Sequence, residues 1–412
     1  YKNVYRPARV ISYDKESGEL VLHNYMDFDD LKDYVKISYE LTQDGLVISK
    51  GKLPEVSAAP HSDGKINLKI NVPESGKCYL KFIYNLKKEL PLLDEDHILG
   101  FDEIEVSKDG AKCKLAEKWL QKTAVDSELQ VNENDTQIHI KGREFAYTID
   151  KRTALFTEMK FAGREYLNHP MELNIWRAPT DNDMYIKSEW KKAHYDKAYT
   201  RAYTTEVVQG KHGVKITSHA SVVAETVQKI LDVTITWKIE AAGKIDADIA
   251  VTKDDEFPDL PRFGVRMFLD KKLSAARYFG MGPQESYCDK HQAASHGLYQ
   301  ANVDDLHEDY IRPQENGSHY DCEYVELNNS RYGIVVSAGN AFSFNASYYT
   351  QEELEKKTHN YELTESDSVV FCVDYALNGI GSNSCGPVVL DQYRFDDVLF
   401  RFQFTLIPYV KG

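Results

Sequence analysis

Along most of this chain apolar side chains return at every second position, in short runs cut by Gly, Asp, Asn and Pro. Ile66, Leu68 and Ile70 do so, as do the residues from Cys78 to Tyr84, from Ile230 to Ile239 and from Ile245 to Val251. A period of two gathers the apolar residues of a run on one face of a strand, whereas a helix would scatter them around its girth. So much alternation with so little helical periodicity predicts antiparallel sheets packed face to face, not a doubly wound parallel sheet.

The pattern falls into two blocks. Up to Val106, strands are predicted at Glu19 to His23 after Glu16-Ser17-Gly18, Val35 to Leu41, Leu46 to Ser49 behind the Asp44-Gly45 turn, Lys65 to Val72, and Cys78 to Tyr84. About seven strands in about 100 residues predict an immunoglobulin-like β-sandwich over residues 1–106. Asp27, Asp29, Asp30 and Asp33 are expected to form a solvated acidic face, because the Gly and bidentate Glu of a calcium loop are missing. Residues 107–126 predict a charged connector anchored by Trp119 and Leu120. From 127 to 412 strands resume at Thr136 to Ile140, Phe145 to Ile149, Val207 to Val208 and Val214 to Thr217, with a hairpin tip at Asp150. One helix is expected, Ser188 to Tyr199, capped by Ser188 and burying Trp190 and Ala193. A chain of 412 residues exceeds one ordinary core, so the expected architecture is all-β, a small sandwich followed by a large one.

A formal net charge of -15 argues against nucleic acid and anionic membranes as partners, since both reward clustered Lys and Arg. No apolar run reaches the ~18 residues of a membrane span. The chain opens at Tyr1 without a methionine or a signal peptide, so a piece of a longer protein is expected. The six cysteines are scattered without a Cys-x-x-Cys pair, which points to ordinary thiols of a reducing, cytoplasmic compartment and away from zinc.

Chemistry concentrates in a few stretches. Leu173-Asn-Ile-Trp-Arg-Ala-Pro-Thr-Asp-Asn-Asp183 predicts a strand burying Leu173 and Ile175, ended by Pro179, then a corner in which Asp181, Asn182 and Asp183 bond their own backbone. Arg177 can fork onto those acids or stack on Trp176. The corner is either a structural pin at a sheet end or a sugar-facing wall. In Tyr278-Phe-Gly-Met-Gly-Pro-Gln-Glu-Ser-Tyr-Cys-Asp-Lys290, the residues Gly280, Gly282 and Pro283 make a path without bulky side chains, so that another group can approach. Glu285, Tyr287 and Asp289 read as a polar network over a sheet end.

These stretches, with Pro313-Gln314-Glu315-Asn316-Gly317 and Gly379-Ile-Gly-Ser-Asn-Ser-Cys-Gly-Pro387, resemble the C-terminal half of the large beta-galactosidases of glycoside hydrolase family 2. The resemblance covers the whole chain and implies the immunoglobulin-like domain that follows the catalytic barrel, then the terminal galactose-mutarotase-like β-supersandwich. It implies no catalytic residue and no cofactor here, because the acid, the nucleophile and the Mg and Na ions of such enzymes belong to the barrel. The barrel would be part of the same chain or of a separate large subunit, in a homo-oligomer acting on galactosides such as lactose. Met184, Tyr185 and the residues to Glu189 correspond to a mobile flap, and Ser382, Asn383, Ser384 and Cys385 to a wall of the sugar pocket. Departures are Lys290 where the family has Arg, His319 and Glu323 where it has Arg, and Cys385 where some members carry a stacking Trp. Two alternatives remain at this level. A stand-alone mutarotase-like epimerase needs a converging His and Glu, and a carbohydrate-binding module needs rows of exposed aromatics, for which the 27 tyrosines are candidates.

Overall fold

The computed structural model describes residues 1–120, 129–381 and 384–411, and divides them into two compact units. The first holds Tyr1–Leu115 together with Gln292–Leu298 from far along the chain, and the second holds the remainder.

In the first unit a three-stranded sheet, Ala8–Tyr13, Glu19–Asn24 and Asp63–Asn67, accompanies a four-stranded one, Leu46–Lys52, Val35–Gln43, Cys78–Leu86 and Ile98–Glu105. Alternation does what the sequence suggests. Leu20, Leu22, Leu80, Phe82 and Tyr84 point into one shared core. The third strand stops at Asn67, short of the expected Val72: Leu68 N–H still meets Gly18 O in register at 2.7 Å, but Gly18 has φ 78° and there the partner chain turns out of the ladder. Asp30 is not part of a solvated face. It caps the short helix Leu31–Tyr34 by accepting from Lys32 N–H at 3.1 Å, and it holds Ser57 as well. The segment from 292 is fixed within this unit by His296, whose N–H and Nδ1 meet Glu103 at 2.9 and 2.8 Å and whose ring stacks on Tyr79.

The second unit is built on a twelve-stranded sheet. Its main path runs Leu167–Asn174, Arg262–Asp270, Ser368–Leu377, Tyr332–Ser347, Leu399–Val410, Ile245–Lys253, Leu231–Glu240, Gly213–Val223 and Tyr199–Gly210. The long strand Tyr332–Ser347 changes partner midway. Its start pairs with Leu399–Val410 and its end with Ser368–Leu377, so one strand turns the sheet onto a second direction. A five-stranded sheet from Gln130–Glu133 to Arg164–Glu165 packs on it. Phe156 meets Trp237 edge-on at 4.9 Å, and the Trp237 indole donates to Ala154 O at 2.8 Å. The chain is thus all-β, a small sandwich followed by a large supersandwich, and among the described residues the longest helix, Ile186–Lys192, has 7 residues.

That helix starts earlier and ends sooner than the expected Ser188 to Tyr199. His194 enters the left-handed region at φ 57° and breaks it, a short turn follows at Tyr195–Lys197, and Tyr199 already begins a strand. Ser188 does not cap it, since its hydroxyl donates back to Tyr185 O at 2.7 Å. The face is as expected, with Trp190 fully buried and Ala193 nearly so. The side chain of Leu120, one of the two expected connector anchors, lies outside the described residues. Trp119 packs on Tyr409 with centroids 4.0 Å apart.

Candidate functional site

The strand Leu167–Asn174 ends well before Pro179, and the cause is Asn174, whose Oδ1 accepts from Trp176 N–H at 3.1 Å and turns the chain out of the ladder. Leu173, Ile175 and Trp176 are buried beneath this turn. Arg177 is fully buried and forks onto Asp183, with Nε to Oδ2 at 3.1 Å and Nη2 to Oδ1 at 2.7 Å. Its guanidinium lies 5.1 Å over Trp190, not Trp176. Asp183 also accepts from Thr180 N–H at 2.8 Å and is the only acid of the corner to bond its own backbone. Asn182 and Asp181 reach outward instead. Asn182 Nδ2 donates to Ile380 O at 2.6 Å, while Asp181 N–H donates to Gln314 Oε1 at 3.0 Å.

The late glycine loop is held from two sides. Arg177 Nη1 donates to Asn378 O at 2.5 Å and Nη2 to Gly379 O at 3.2 Å. From the other side Asp289 accepts from Ile380 N–H at 3.0 Å and Gly381 N–H at 2.7 Å. A Cβ on Gly379 would sit 2.7 Å from Asp289 Oδ2, so glycine is what lets carboxylate and backbone meet. Tyr287, Leu377 and Ile380 form a small buried cluster at this loop.

The first glycine block obeys the same logic. A Cβ on Gly280 would lie 2.2 Å from Cys322 Sγ, and one on Gly282 would lie 2.3 Å from the Tyr278 hydroxyl. Pro283 follows through a cis peptide bond. Glu285 gathers Gly317 N–H at 2.9 Å, the Tyr287 hydroxyl at 3.4 Å, and the side chains of Lys290 and Tyr310. Lys290 thus serves as a point charge for one carboxylate. Gly317 has φ 69°, the left-handed conformation that a glycine adopts without cost. Pro313 is buried, Glu315 N–H donates to Ala178 O at 3.0 Å, and Asn316 braces the loop by accepting from Glu308 N–H and donating to Gln314 O. His319 lies between Tyr278 and Phe344, its Nδ1–H donating to Met281 O at 3.2 Å, and burial pushes its pKa down to about 4.

Sequence patterning gave no role to Arg262 and Asp374, which prove central. Arg262 is fully buried, forks onto Asp374 at 3.1 and 2.5 Å, and reaches Glu315 at 3.1 Å. Burial lifts both carboxyls above their ordinary range while Arg262 pulls against it. The available signal was a charge inside runs apolar on both faces, Arg262-Phe-Gly-Val and Phe371-Cys-Val-Asp374.

All four motifs therefore converge at one place in the second unit, joined by hydrogen bonds between segments up to about two hundred positions apart. Their carboxylates are occupied: Asp183 by Arg177, Asp289 by backbone amides, Glu285 by Lys290 and phenols, Glu315 and Asp374 by Arg262. Each of these carboxylates braces one segment against another. Around this buried frame Asp181, Met184, Tyr185 and Cys385 are exposed and Asn182 and Ser384 partly so, whereas Ser382 and Asn383 lie outside the described residues.

Beside the frame, and not foreseen from the sequence, is a cleft of about 310 Å³ whose wall includes Tyr287, Cys288, Tyr320, Tyr375, Gln392 and Tyr393.

Compared with known proteins, residues 141–406 match the family described as Beta galactosidase small chain, and residues 20–107 match Beta-galactosidase, domain 4. A beta-galactosidase of Actinobacillus pleuropneumoniae is 42% identical over 408 residues, covering 98% of this chain and 39% of that protein. One from Staphylococcus xylosus is 30% identical over 411 residues, covering 98% of this chain and 40% of that protein. The chain thus spans about two fifths of the length of these curated relatives. Among solved structures, galactose 1-epimerase from Lactobacillus acidophilus aligns over 70% of this chain and all of that one, with 8% identity and a TM-score of 0.36.

Proposed function

Because the chain belongs to the beta galactosidase small-chain family, we propose that it is the non-catalytic C-terminal part of a retaining beta-galactosidase acting on terminal β-D-galactosides such as lactose. Its part is to cover and shape the mouth of a barrel supplied by the same polypeptide or by a large subunit. Beyond the family match, one observation carries this reading. The surface loops at the convergence are clamped from beneath by Arg177, Asn182 and Asp289, while Met184 and Tyr185 beside them stand 45% and 60% exposed. Exposed apolar groups on a rigid base suit a wall that excludes water and sets the shape of a subsite without touching the reacting bond.

The segment Met184 to Glu189 fits a flap at its start only, for Ile186 onward is helix and is anchored by Trp190. Deleting it would unseat that helix, so point substitutions are the sharper test. In the enzyme that contains this chain, Met184→Ala and Tyr185→Ala should each raise KM for lactose several-fold with kcat little changed. An unchanged KM in both would defeat the reading. The chain by itself should release nothing from a chromogenic galactoside, and turnover by it alone would show that the acid and nucleophile reside here after all.

A further inference from the structure

We propose that the cleft beside the convergence binds a neutral pyranoside, one sugar ring at a time. Its volume of about 310 Å³ sits at the small end of the range for small-molecule pockets. Its base is Phe342 and Ser343 together with the end of the strand Ser368–Leu377, and its rim is the turn Asp391–Tyr393.

Three features select the ligand. The first is a rigid aromatic wall. The Tyr375 ring stacks on Phe400 at 4.9 Å and leans on Phe395 at 5.9 Å, so its orientation is set by packing before anything binds. The second is a set of uncommitted polar groups. Among the described residues the hydroxyls of Tyr320, Tyr375 and Tyr393, the Gln392 amide and the Asp397 carboxylate line the cleft without a hydrogen bond to the protein. In this they contrast with the braced carboxylates next door. The Tyr320 phenol is protonated and a donor at neutral pH, and burial with the neighbouring Asp321 raises it further, to about 12. The third is charge. Asp321 and Asp397 line the cleft, and its one guanidinium, Arg394, is engaged by Asp259 at 2.9 Å. An acidic wall of this kind disfavours phosphorylated and uronic sugars and suits hydroxyl donors. A pyranose offers both an apolar ring face for a tyrosine and in-plane hydroxyls for amide, phenol and carboxylate.

The choice of sugar rests on the galactoside reading above, and the test is arranged so that the two can fail separately. Methyl β-D-galactopyranoside is titrated calorimetrically into the 412-residue chain, with galacturonic acid as a parallel arm and with no barrel or turnover involved. Saturable binding of the galactoside is expected and none of the uronate. Tyr393→Phe and the rim substitution Gln392→Ala should each weaken binding about fivefold, the worth of one hydrogen bond, with far-UV circular dichroism unchanged. Absence of saturable binding, equal binding of the uronate, or unaltered affinity in both variants would overturn the proposal. Any of these leaves the KM test of Met184 and Tyr185 untouched, and an unchanged KM there leaves this binding result standing.

Discussion

Replacing Arg177 by Met tests whether the convergence is held by its buried charges. Arg177 has no exposed surface and Asp183 only 5% of its side chain. The variant leaves Asp183 with the Thr180 amide as its remaining hydrogen-bond donor, takes two donors from Asn378 O and Gly379 O, and removes a cation from the face of Trp190. Breaking one side of a buried pair costs about 3–5 kcal/mol, mostly from the charge left unpaired. At roughly 2–4 °C per kcal/mol for a domain of this size, Tm should fall by about 10 °C. Urea unfolding of the wild type, Arg177→Met, Asp183→Asn and the double variant gives the cycle. Because Asp183→Asn removes the stranded charge, the double variant should be more stable than the sum of single losses predicts, by about 2 kcal/mol or more. A loss under ~1 kcal/mol for Arg177→Met, or strict additivity, would refute the claim that the fork holds this corner.

Further outcomes follow from neighbouring residues. Asp289→Asn replaces one amide acceptor by a donor facing Gly381 or Ile380 N–H, so hydrogen exchange at those two amides should quicken while the core strands stay protected. Gly280→Ala would place a methyl 2.2 Å from Cys322 Sγ and 2.9 Å from its Cα; a cost of at least about 2 kcal/mol is expected, and Cys322→Ala should restore only part of it. His319 has its pKa held at about 4 by burial, so on acidification the unfolded chain takes up this proton first. Its contribution to stability is complete above the ordinary value near 6.5 and is lost progressively down to about pH 4, about 3 kcal/mol in all. The stability gap between wild type and His319→Gln, read from urea midpoints, should shrink by that amount between pH 7 and pH 4.

How much of this could be read in the sequence differs by layer. Strands were legible because burial on one face imposes alternation, as at Cys78–Leu86 and Ile245–Lys253. Their ends were less so, since a strand ends where a side chain captures a nearby amide, as Asn174 does for Trp176, or where its partner turns away, as at Gly18 opposite Leu68. The glycines of Gly280 and Gly282 announced a close approach, but not that Cys322 and Tyr278 would be the approaching groups. Nothing local marks 292–298 as belonging with the first unit, because seven residues carry no periodicity of their own. The cleft was invisible for the same reason: Tyr320, Tyr375 and Tyr393 come from three separate segments, each an ordinary tyrosine in its own context.

Hydrophobic burial alone would hold sheets of this size together, so the charges at the convergence call for a different account. Apolar replacements of a buried ion pair are often as stable as the pair itself, which makes Arg177–Asp183 and Arg262–Asp374–Glu315 poor devices for stability. What an apolar contact lacks is direction. A guanidinium fork, a carboxylate accepting two successive amides and a glycine that admits it fix a loop in position and angle, whereas packed methyl groups tolerate sliding. These devices tie the Asp-Asn-Asp corner, the glycine block, the Pro-Gln-Glu-Asn-Gly loop and the late glycine loop to one another, and they lie under exposed loops. A stable sandwich alone has no use for them; under the function proposed above, they hold the loops in position before a sugar arrives.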